Sequence, residues 1–475
     1  MVFSSLPFLY LFLPGTMILY FIMPEKGKNP VLLFTSLLFY FCGGRGYILL
    51  IAGEILLSYM TARLLNRGSK IQSKIILILF LMLILGVLCF YKYAGFIQTN
   101  INKLLKREQF PVYRAVLPIG ISFYTFQCTG YVIDVYRRVY PAEKNFIRFA
   151  TFVSFFPQLI AGPIVRYDTV KEALRSRTHS LEKLSDGIRR FTIGLGKKVL
   201  LADRLFMFCT QAHSVSSPSM ILSFTEGIAY LLYVYYDFSG YSDMALGLAK
   251  CFGFDIPENF QYPLISSSVQ EFFRRWHISL GSWFGDYGYI PLGENRKGLF
   301  RQILNLLIVW FLTGIWHGAG WNYMIWGLSF GLIICLERVT QKGKTEKKGK
   351  FRWIKTCFTL FLSVLVFVWF RFTDLKEGLA QFDRMFTSPV WTKAGAYYLK
   401  NSLVILVVSL IGATPWPKKI MSSLLSRLNV NDGRKYKHKS VITIVLKSVF
   451  ICLIMILVSA YLVDGSFSPF LYYQF

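Results

Sequence analysis

The sequence predicts an all-α integral membrane protein that crosses the bilayer many times. Hydrophobic residues make up 54% of its 475 residues and charged residues only 16%, whereas a soluble domain is about 25% charged. A chain this apolar cannot bury its side chains in a soluble core and still cover itself with polar surface. Apolar runs also recur from end to end, and because they are continuous rather than alternating, they favour helices over a β-barrel.

Each apolar run is a candidate membrane span. Several are short, and others contain charge, such as Glu54 and the neighbours Arg189 and Arg190. We therefore predict roughly ten to twelve true spans, with re-entrant or interfacial helices for the remaining runs. The N-terminal run has no basic residue before it and is expected to be retained as the first span. The runs lie near residues 6–23, 31–41, 47–65, 75–91, 117–135, 149–164, 188–209, 221–236, 303–316, 323–336, 354–369, 402–411 and 441–463.

The charge distribution indicates that the basic residues face a membrane surface. The chain has 53 Lys and Arg against 25 Asp and Glu, a formal net charge of +28. The basic residues occur in short clusters between apolar runs, as in the cytoplasmic loops of membrane proteins, so we exclude nucleic acid as their partner. The positive-inside rule places the basic loops 338–355 and 418–439 in the cytoplasm, and the balanced loop 373–397 and the C-terminal tail outside.

The middle of the chain is its least membrane-like part. Residues 251–301 are rich in Pro, Gly, aromatic and charged residues, yet they lie between strong apolar runs. Because aromatic rings seek an interface or a packed pocket, we predict short helices and turns folded into or against the membrane body. We find no internal repeat and no low-complexity linker, so we take residues 1–475 as a single domain.

Two of the five histidines are candidates for chemistry. His317 ends an apolar run in LTGIWHGAGW, and His277 lies in RRWHISL within the aromatic middle segment. An ionisable group at membrane depth is costly unless it faces a cavity or has a partner. Imidazole can exchange a proton near neutral pH, as the transfer of an acyl group to a hydroxyl requires. For His317, the alternative interpretation is a core histidine that hydrogen-bonds to another span.

Other chemical signatures are weak or missing from the sequence. No HxxxH, HExxH or neighbouring Cys gives His277 and His317 a metal ligand set, so no metal site is predicted. The sequence has neither a GxxxxGK[ST] phosphate loop nor a GxSxG elbow, which disfavours ATP-driven work and serine-hydrolase chemistry.

Two polar clusters could line the entry path of a polar substrate or cap helix ends. The first cluster contains Arg166, and the second contains Asp237, Ser242 and Asp243.

The chain contains an ordered set of motifs, namely AGPIVRY, YYDFSGYSDMALGLA, PENFQYP, EFFRRWHISLGSWFGDYGYIPLG, ENRKG, LTGIWHGAGWNYMIWG and the closing FLYYQF. Together they resemble the membrane-bound O-acyltransferase family, and within it the bacterial branch that contains alginate, peptidoglycan and cellulose O-acetyltransferases. The resemblance runs from the N-terminal spans to the last residues. One departure is Glu294, which stands where the family tends to have the second Gly of a GGNR turn.

The resemblance implies a ring of tilted helices around a narrow tunnel that crosses the membrane. The key histidine of the family matches His317, which would act as general base on the acceptor hydroxyl or carry the acetyl group transiently. The second histidine matches His277, which would orient the acceptor or assist proton transfer. Arg274 and Arg275 would contact donor phosphates or, alternatively, extend to the membrane surface. The residues that remain candidates for pocket or substrate-binding roles are Arg166, Asp237, Ser242, Asp243, Trp276 and Asn295.

The resemblance also implies a reaction. The acyl donor would be acetyl-CoA from the cytoplasm, with no bound cofactor, and the acetyl group would cross the cell membrane. A separate extracytoplasmic protein with a catalytic serine would then place it on a polysaccharide, such as an alginate-like exopolysaccharide, cellulose or peptidoglycan. The main alternative is D-alanyl transfer to teichoic acid from a carrier protein, although that branch tends to have an acidic residue where this chain has Val165. A transporter or flippase is disfavoured because we see no inverted repeats.

Overall fold

The structure is a computed structural model that describes residues 1–65, 68–107, 110–113, 116–294, 298–340, 351–429 and 436–465. The regular structure in these ranges is helical, and no strand occurs within them. Asn295, parts of the loops 338–355 and 418–439, and the closing motif FLYYQF lie outside the described residues. What the sequence predicts for those parts stays a prediction.

Twenty α-helices follow one another along the described chain, and short 3₁₀ or π-helical segments join some of them. The first ten are α1 (Leu13–Ile22), α2 (Glu25–Gly43), α3 (Ile48–Leu65), α4 (Lys70–Leu105), α5 (Ile121–Tyr136), α6 (Phe146–Ser154), α7 (Phe156–Leu159), α8 (Tyr167–Arg175), α9 (Leu181–Gly196) and α10 (Asp203–His213). The second ten are α11 (Met220–Cys251), α12 (Val269–Arg275), α13 (Ile278–Phe284), α14 (Gly298–His317), α15 (Trp321–Thr340), α16 (Arg352–Arg371), α17 (Leu375–Thr387), α18 (Lys393–Gly412), α19 (Trp416–Asn429) and α20 (Tyr436–Val463).

Within the described ranges, seven helices are long and apolar enough to cross a membrane. Apolar side chains on them are exposed, since Leu49 and Val404 are 81% and 75% exposed, and surfaces of this kind are stable in lipid rather than in water. The other predicted runs form helices that are shorter, more polar or buried inside the protein. The all-α, multi-pass membrane fold is therefore confirmed. The seven helices are α3, α4, α14, α15, α16, α18 and the 444–463 part of α20.

The long helix α11 lies in the centre of the protein, and most of its side chains are buried. Glycines bring its backbone against that of α9. A Cβ atom added at Gly194 would lie 2.5 Å from the carbonyl oxygen of Gly240, and one added at Gly247 would lie 2.6 Å from that of Gly187. Such close approach at small residues is typical of helices that pack inside a membrane. It fixes the position of the α11 side chains that reach the candidate site.

One predicted polar cluster lies within α11 rather than at its end. We expected Asp237, Ser242 and Asp243 either to cap a helix end or to line an entry path. The capping interpretation is wrong, because α11 continues through all three residues to Cys251. Cations on neighbouring segments pair with its carboxylates, as Lys198 does with Asp237, and these pairs explain how the charges are tolerated inside the protein.

The apolar run near residues 149–164 does not form one long helix. Helix α6 ends at Ser154, Phe155 has a non-helical ψ of 107°, and α7 then begins with Pro157 in its first turn. In one continuous helix the ring of Pro157 would clash with the carbonyl group of Val153, whereas a proline in a first turn is tolerated. The break therefore follows from the proline.

The segment before α14 consists of short helices and turns, as the sequence predicts. Helices α12 and α13 have seven residues each. A 3₁₀ turn at Pro263–Ile265 precedes them, and a π-helical turn at Gly285–Tyr289 follows them. Ser268 caps α12, since its side chain accepts a hydrogen bond from the backbone N–H of Glu271 at 3.0 Å. The depth of this segment in the membrane stays a prediction.

Candidate functional site

His317 is the last residue of α14 and is buried among aromatic rings. Its ring centroid lies 4.9 Å from that of Trp326, 5.1 Å from that of Phe370 and 5.1 Å from that of Trp316. The residue is only 5% exposed. Apolar walls of this kind suit a small uncharged group next to the imidazole better than a charged one.

The packing of α14 against α15 fixes the position of this helix end. A Cβ atom added at Gly314 would lie 2.4 Å from the carbonyl oxygen of Tyr323, and one added at Gly327 would lie 2.4 Å from that of Trp310. Neither position has room for a side chain, so the two helices meet at backbone distance. The end of α14 is held firmly as a result, and His317 with it.

Two neighbouring residues of α4 bind the last carbonyl groups of α14. Tyr93 Oη donates to the carbonyl oxygen of Ile315 at 2.7 Å, and the Lys92 ammonium donates to that of Trp316. The final carbonyl groups of a helix have no partner within it, and a cation is favourable there. Lys92 and Tyr93 therefore anchor the helix end that carries His317.

Lys92 is not among the site residues predicted from the sequence, although the sequence contains a signal for it. It is the only charged residue between Lys74 and Lys103, a stretch that is otherwise mostly apolar. A lone ionisable residue in such a stretch indicates a partner inside the protein. The sequence does not show that this partner lies more than two hundred residues away.

His277 lies at the turn between α12 and α13 and is 3% exposed. Its φ of 46° is in the left-handed region. Residues other than glycine rarely adopt this conformation, and those that do are often found at functional sites. Its ring centroid lies 4.5 Å from that of Phe238 in α11 and 5.8 Å from that of Trp316. Because the ring of Trp316 also contacts His317, the structure brings the two predicted histidines to one tryptophan.

Asn259 connects His277 to its surroundings. Its Oδ1 atom lies 3.3 Å from Nδ1 of His277 and accepts hydrogen bonds from the backbone N–H and the hydroxyl of Ser279, at 3.1 and 2.9 Å. Its Nδ2 atom donates to Ser242 Oγ at 3.2 Å. The predicted residue Ser242 therefore supports the site through Asn259. Asn259 belongs to the motif PENFQYP, which supports the resemblance, but nothing in the sequence alone predicts a role for it.

The two predicted carboxylates of α11 are paired with cations. Asp237 Oδ1 lies 2.7 Å from Lys198 Nζ, and both side chains are fully buried. Asp243 pairs with Arg190 at 2.9 Å and with Lys197 at 2.6 Å. These pairs explain how the carboxylates are tolerated in apolar surroundings. A contact of either one with substrate stays a prediction.

Arg166 and Trp276 lie beside the short helices. The guanidinium of Arg166 donates to the carbonyl oxygen of Ser282 at 3.2 Å and pairs with the carboxylate of Asp286. The Trp276 side chain is buried and stacks on Phe272, with ring centroids 5.3 Å apart. Arg166 thus holds the π-helical turn after α13, and the buried Trp276 is the residue directly before His277 in the chain.

The two arginines at the end of α12 differ in their surroundings. Arg275 pairs with Glu271 at 2.7 Å, whereas Arg274 is exposed. Burial would raise the pKa of Glu271, but hydrogen bonds from Ser267 and the charges of Arg275 and Arg352 hold that pKa below its usual value. Arg274 is therefore the more accessible of the two for an external phosphate.

No group of three or more His, Cys, Asp and Glu side chains in the described ranges is placed to hold a metal.

Comparison with known proteins identifies the family. Residues 141–352 match the sequence model of the membrane-bound O-acyltransferase family, and this range contains both candidate histidines, His277 and His317. The probable alginate O-acetylase AlgI of Pseudomonas putida is 36% identical to this chain, with 100% of both chains covered. The chain belongs to the membrane-bound O-acyltransferase family. It is an O-acyltransferase and a multi-pass membrane protein.

The names of other relatives of this O-acyltransferase give other acceptors, and one of them also gives another acyl group. The peptidoglycan O-acetyltransferase of Helicobacter pylori is 29% identical, and the alignment covers 100% of this chain and 98% of the relative. The teichoic acid D-alanyltransferase of Bacillus subtilis is 26% identical, over 54% of this chain and 67% of the relative. The O-acetylating relatives are thus similar over the full length, and the D-alanylating relative over about half.

Replacing Lys92 with methionine should slow acyl transfer by this O-acyltransferase about 10- to 100-fold, because a shift of about 1 Å in a catalytic group has an effect of this size. Methionine keeps much of the length of lysine but cannot bind the carbonyl group of Trp316. The rate of ester formation per amount of membrane protein measures the effect. Lys103→Met is the matched control, since Lys103 lies exposed on the same helix. Equal rates for the two variants would show that Lys92 does not position His317.

Proposed function

We propose that this protein takes an acetyl group from acetyl-CoA on the cytoplasmic side of the cell membrane and passes it outward for O-acetylation of a polysaccharide. The observation that carries this proposal is the placement of two buried histidines, His317 and His277, against the ring of Trp316. Similarity over the full chain to an alginate O-acetylase and to a peptidoglycan O-acetyltransferase supports acetyl as the acyl group and polysaccharide as the final acceptor.

The proposed step needs a base next to the reacting hydroxyl. The imidazole of His317 removes the proton of the acceptor hydroxyl while the hydroxyl oxygen attacks the thioester carbonyl carbon, so that a C–O bond forms. The C–S bond then breaks, and the departing thiolate of CoA receives the proton from the imidazolium. The rings of Trp326 and Phe370 beside His317 exclude water, which would otherwise hydrolyse the donor.

The proposed first acceptor is a serine hydroxyl of a separate extracytoplasmic protein, which then acetylates the polysaccharide. An attack by a serine hydroxyl and an attack by a sugar hydroxyl need the same proton transfer. Arg274, as the exposed arginine of α12, is the residue we assign to the phosphates of the donor. The guanidinium group suits a phosphate because it offers several N–H donors in one plane.

D-alanyl transfer from a carrier protein is the second candidate function. Its support is the 26% identity to the teichoic acid D-alanyltransferase of Bacillus subtilis. That similarity covers 54% of this chain, whereas both O-acetylating relatives align with all of it. Acetyl transfer is therefore the function we favour.

The test of the proposed function identifies the transferred acid. The gene is deleted in its host and restored as wild type, and mild base then releases ester-linked acids from the purified envelope polysaccharides. We expect acetate to fall on deletion and to return with the wild-type gene, while D-alanine stays constant. Loss and return of D-alanine instead would contradict acetyl transfer and support the second candidate. Constant levels of both acids would contradict both candidates.

A further inference from the structure

Asn259 is buried in the non-helical stretch between α11 and α12, where it is 1% exposed. Its side chain contacts Ser242 on α11, Ser279 on α13 and His277, and its backbone oxygen accepts from the N–H of Ile278 at 3.0 Å. One side chain thus joins two helices and the candidate histidine. No step of the proposed reaction uses it.

The contacts of Asn259 determine which of its amide atoms is the oxygen. The backbone N–H of Ser279 can only donate, and it lies 3.1 Å from the atom assigned as Oδ1. The hydroxyl of Ser279 accepts from the backbone N–H of Ile164 at 3.0 Å, so its own hydrogen is available for the same Oδ1 at 2.9 Å. The oxygen of Asn259 therefore faces His277.

The orientation of this amide determines where the proton of His277 lies. Nδ1 of His277 is 3.3 Å from Asn259 Oδ1, and an amide oxygen can only accept, so Nδ1 carries the hydrogen. A neutral imidazole has one N–H, which leaves a lone pair on Nε2. Nε2 is buried and has no hydrogen-bond partner among the described residues. An open acceptor thus lies on the ring that contacts Trp316.

We propose that Asn259 is a positioning residue that holds His277 with its hydrogen on Nδ1, so that Nε2 accepts a hydrogen bond from an N–H group or a second hydroxyl of the acyl acceptor, while the reacting hydroxyl gives its one hydrogen to His317. This inference rests on the proposed function for the identity of that acceptor. An accepting nitrogen pairs with an N–H or O–H group and not with the carbonyl oxygen of an acetyl group, because a carbonyl oxygen is itself an acceptor. His277 therefore binds the acyl acceptor, and His317 remains the base.

Two substitutions of Asn259 separate positioning from general stability. In Asn259→Asp, one carboxylate oxygen still accepts from His277 and Ser279, and Ser242 can donate its hydroxyl hydrogen to the other. In Asn259→Leu, the size of the side chain is roughly kept but every one of these hydrogen bonds is lost. We expect Asn259→Leu to lower the rate of acetyl transfer about 10- to 100-fold, the size of the effect when a residue that orients a metal-ligating histidine is lost. Asn259→Asp should keep most of the rate.

Asn305→Leu is the matched control for the loss of a buried asparagine. Asn305 is fully buried and donates to the carbonyl oxygen of Leu292 at 3.1 Å. It lies twelve residues before His317 on α14, which is about 18 Å along the helix. We expect Asn305→Leu to leave the rate per folded protein close to that of the wild type.

The direct measurement is nitrogen NMR of the purified protein with isotope-labelled histidine. The signal of His277 is assigned by its loss in His277→Gln. We expect a protonated Nδ1 and an unprotonated Nε2 in the wild type and in Asn259→Asp, and a mixture of the two tautomers in Asn259→Leu. A protonated Nε2 in the wild type would overturn the inference, as would a rate for Asn259→Leu equal to that of Asn305→Leu. If the expected tautomers are found but the wild type transfers no acetyl group, the positioning role is supported and the proposed function is wrong.

Discussion

Replacing His317 with alanine will reduce acetyl ester on the polysaccharide to the level of a strain that lacks the gene. The imidazole lies at the anchored end of α14 within a wall of aromatic rings, and the short side chain of alanine can neither remove nor return a proton there. Loss of a general base costs about 10²- to 10⁴-fold in rate. The measurement is the initial rate of ester formation in membranes that contain equal amounts of each protein.

His179→Gln is the control for this experiment. His179 is a partly buried histidine whose ring contacts Tyr20 and Phe21, and its replacement by glutamine keeps a polar group near the Tyr20 hydroxyl. We expect the control to transfer acetyl at close to the wild-type rate. A His317→Ala protein that is as active as the control would exclude His317 as the base.

The second large effect is expected on stability rather than on rate. Lys198 is fully buried between Asp203 and Asp237, at 2.8 and 2.7 Å. Lys198→Met leaves these carboxylates without the lysine, and removal of one member of a buried ion pair costs about 3–5 kcal/mol of unfolding free energy. The loss of stability is measured by unfolding the purified protein in detergent with heat or with denaturant.

Two further variants test the electrostatic origin of that loss. Lys197→Met removes a neighbouring lysine that has one carboxylate partner and is 25% exposed, so its effect should be smaller. A protein in which Asp203 and Asp237 are also changed to asparagine should recover part of the stability, because the two buried carboxylate charges are then removed together with the lysine. An equal loss for Lys198→Met and Lys197→Met would contradict this account.

Much of the fold could be predicted from the sequence, because a membrane span needs a run of apolar residues of a known length. The runs near 47–65, 303–316 and 354–369 correspond to α3, α14 and α16. The length of α11 could not be predicted in this way. Asp237 and Asp243 resemble a polar helix end when only neighbouring residues are considered, and they are tolerated in mid-helix because cations pair with them.

The candidate site could be predicted only in part, for a similar reason. His317 is recognisable because ionisable residues are rare in such apolar surroundings, and His277 because its motif resembles the family; the structure places both against Trp316. The residues that hold them are not recognisable in the same way. Lys92 binds a carbonyl group more than two hundred residues away, and Asn259 contacts a histidine beyond an intervening helix. Only the folded chain defines these contacts.

Passage of acetyl groups across the membrane can be followed in sealed membrane vesicles from the host in their natural orientation, loaded with acetyl-CoA that is radiolabelled in its acetyl group. We expect base-labile label to accumulate on polysaccharide outside vesicles that contain the wild-type protein, and not outside those that contain His317→Ala. Label that crosses equally with both proteins, or that never crosses with the wild type, would contradict the claim that this protein passes acetyl groups through His317.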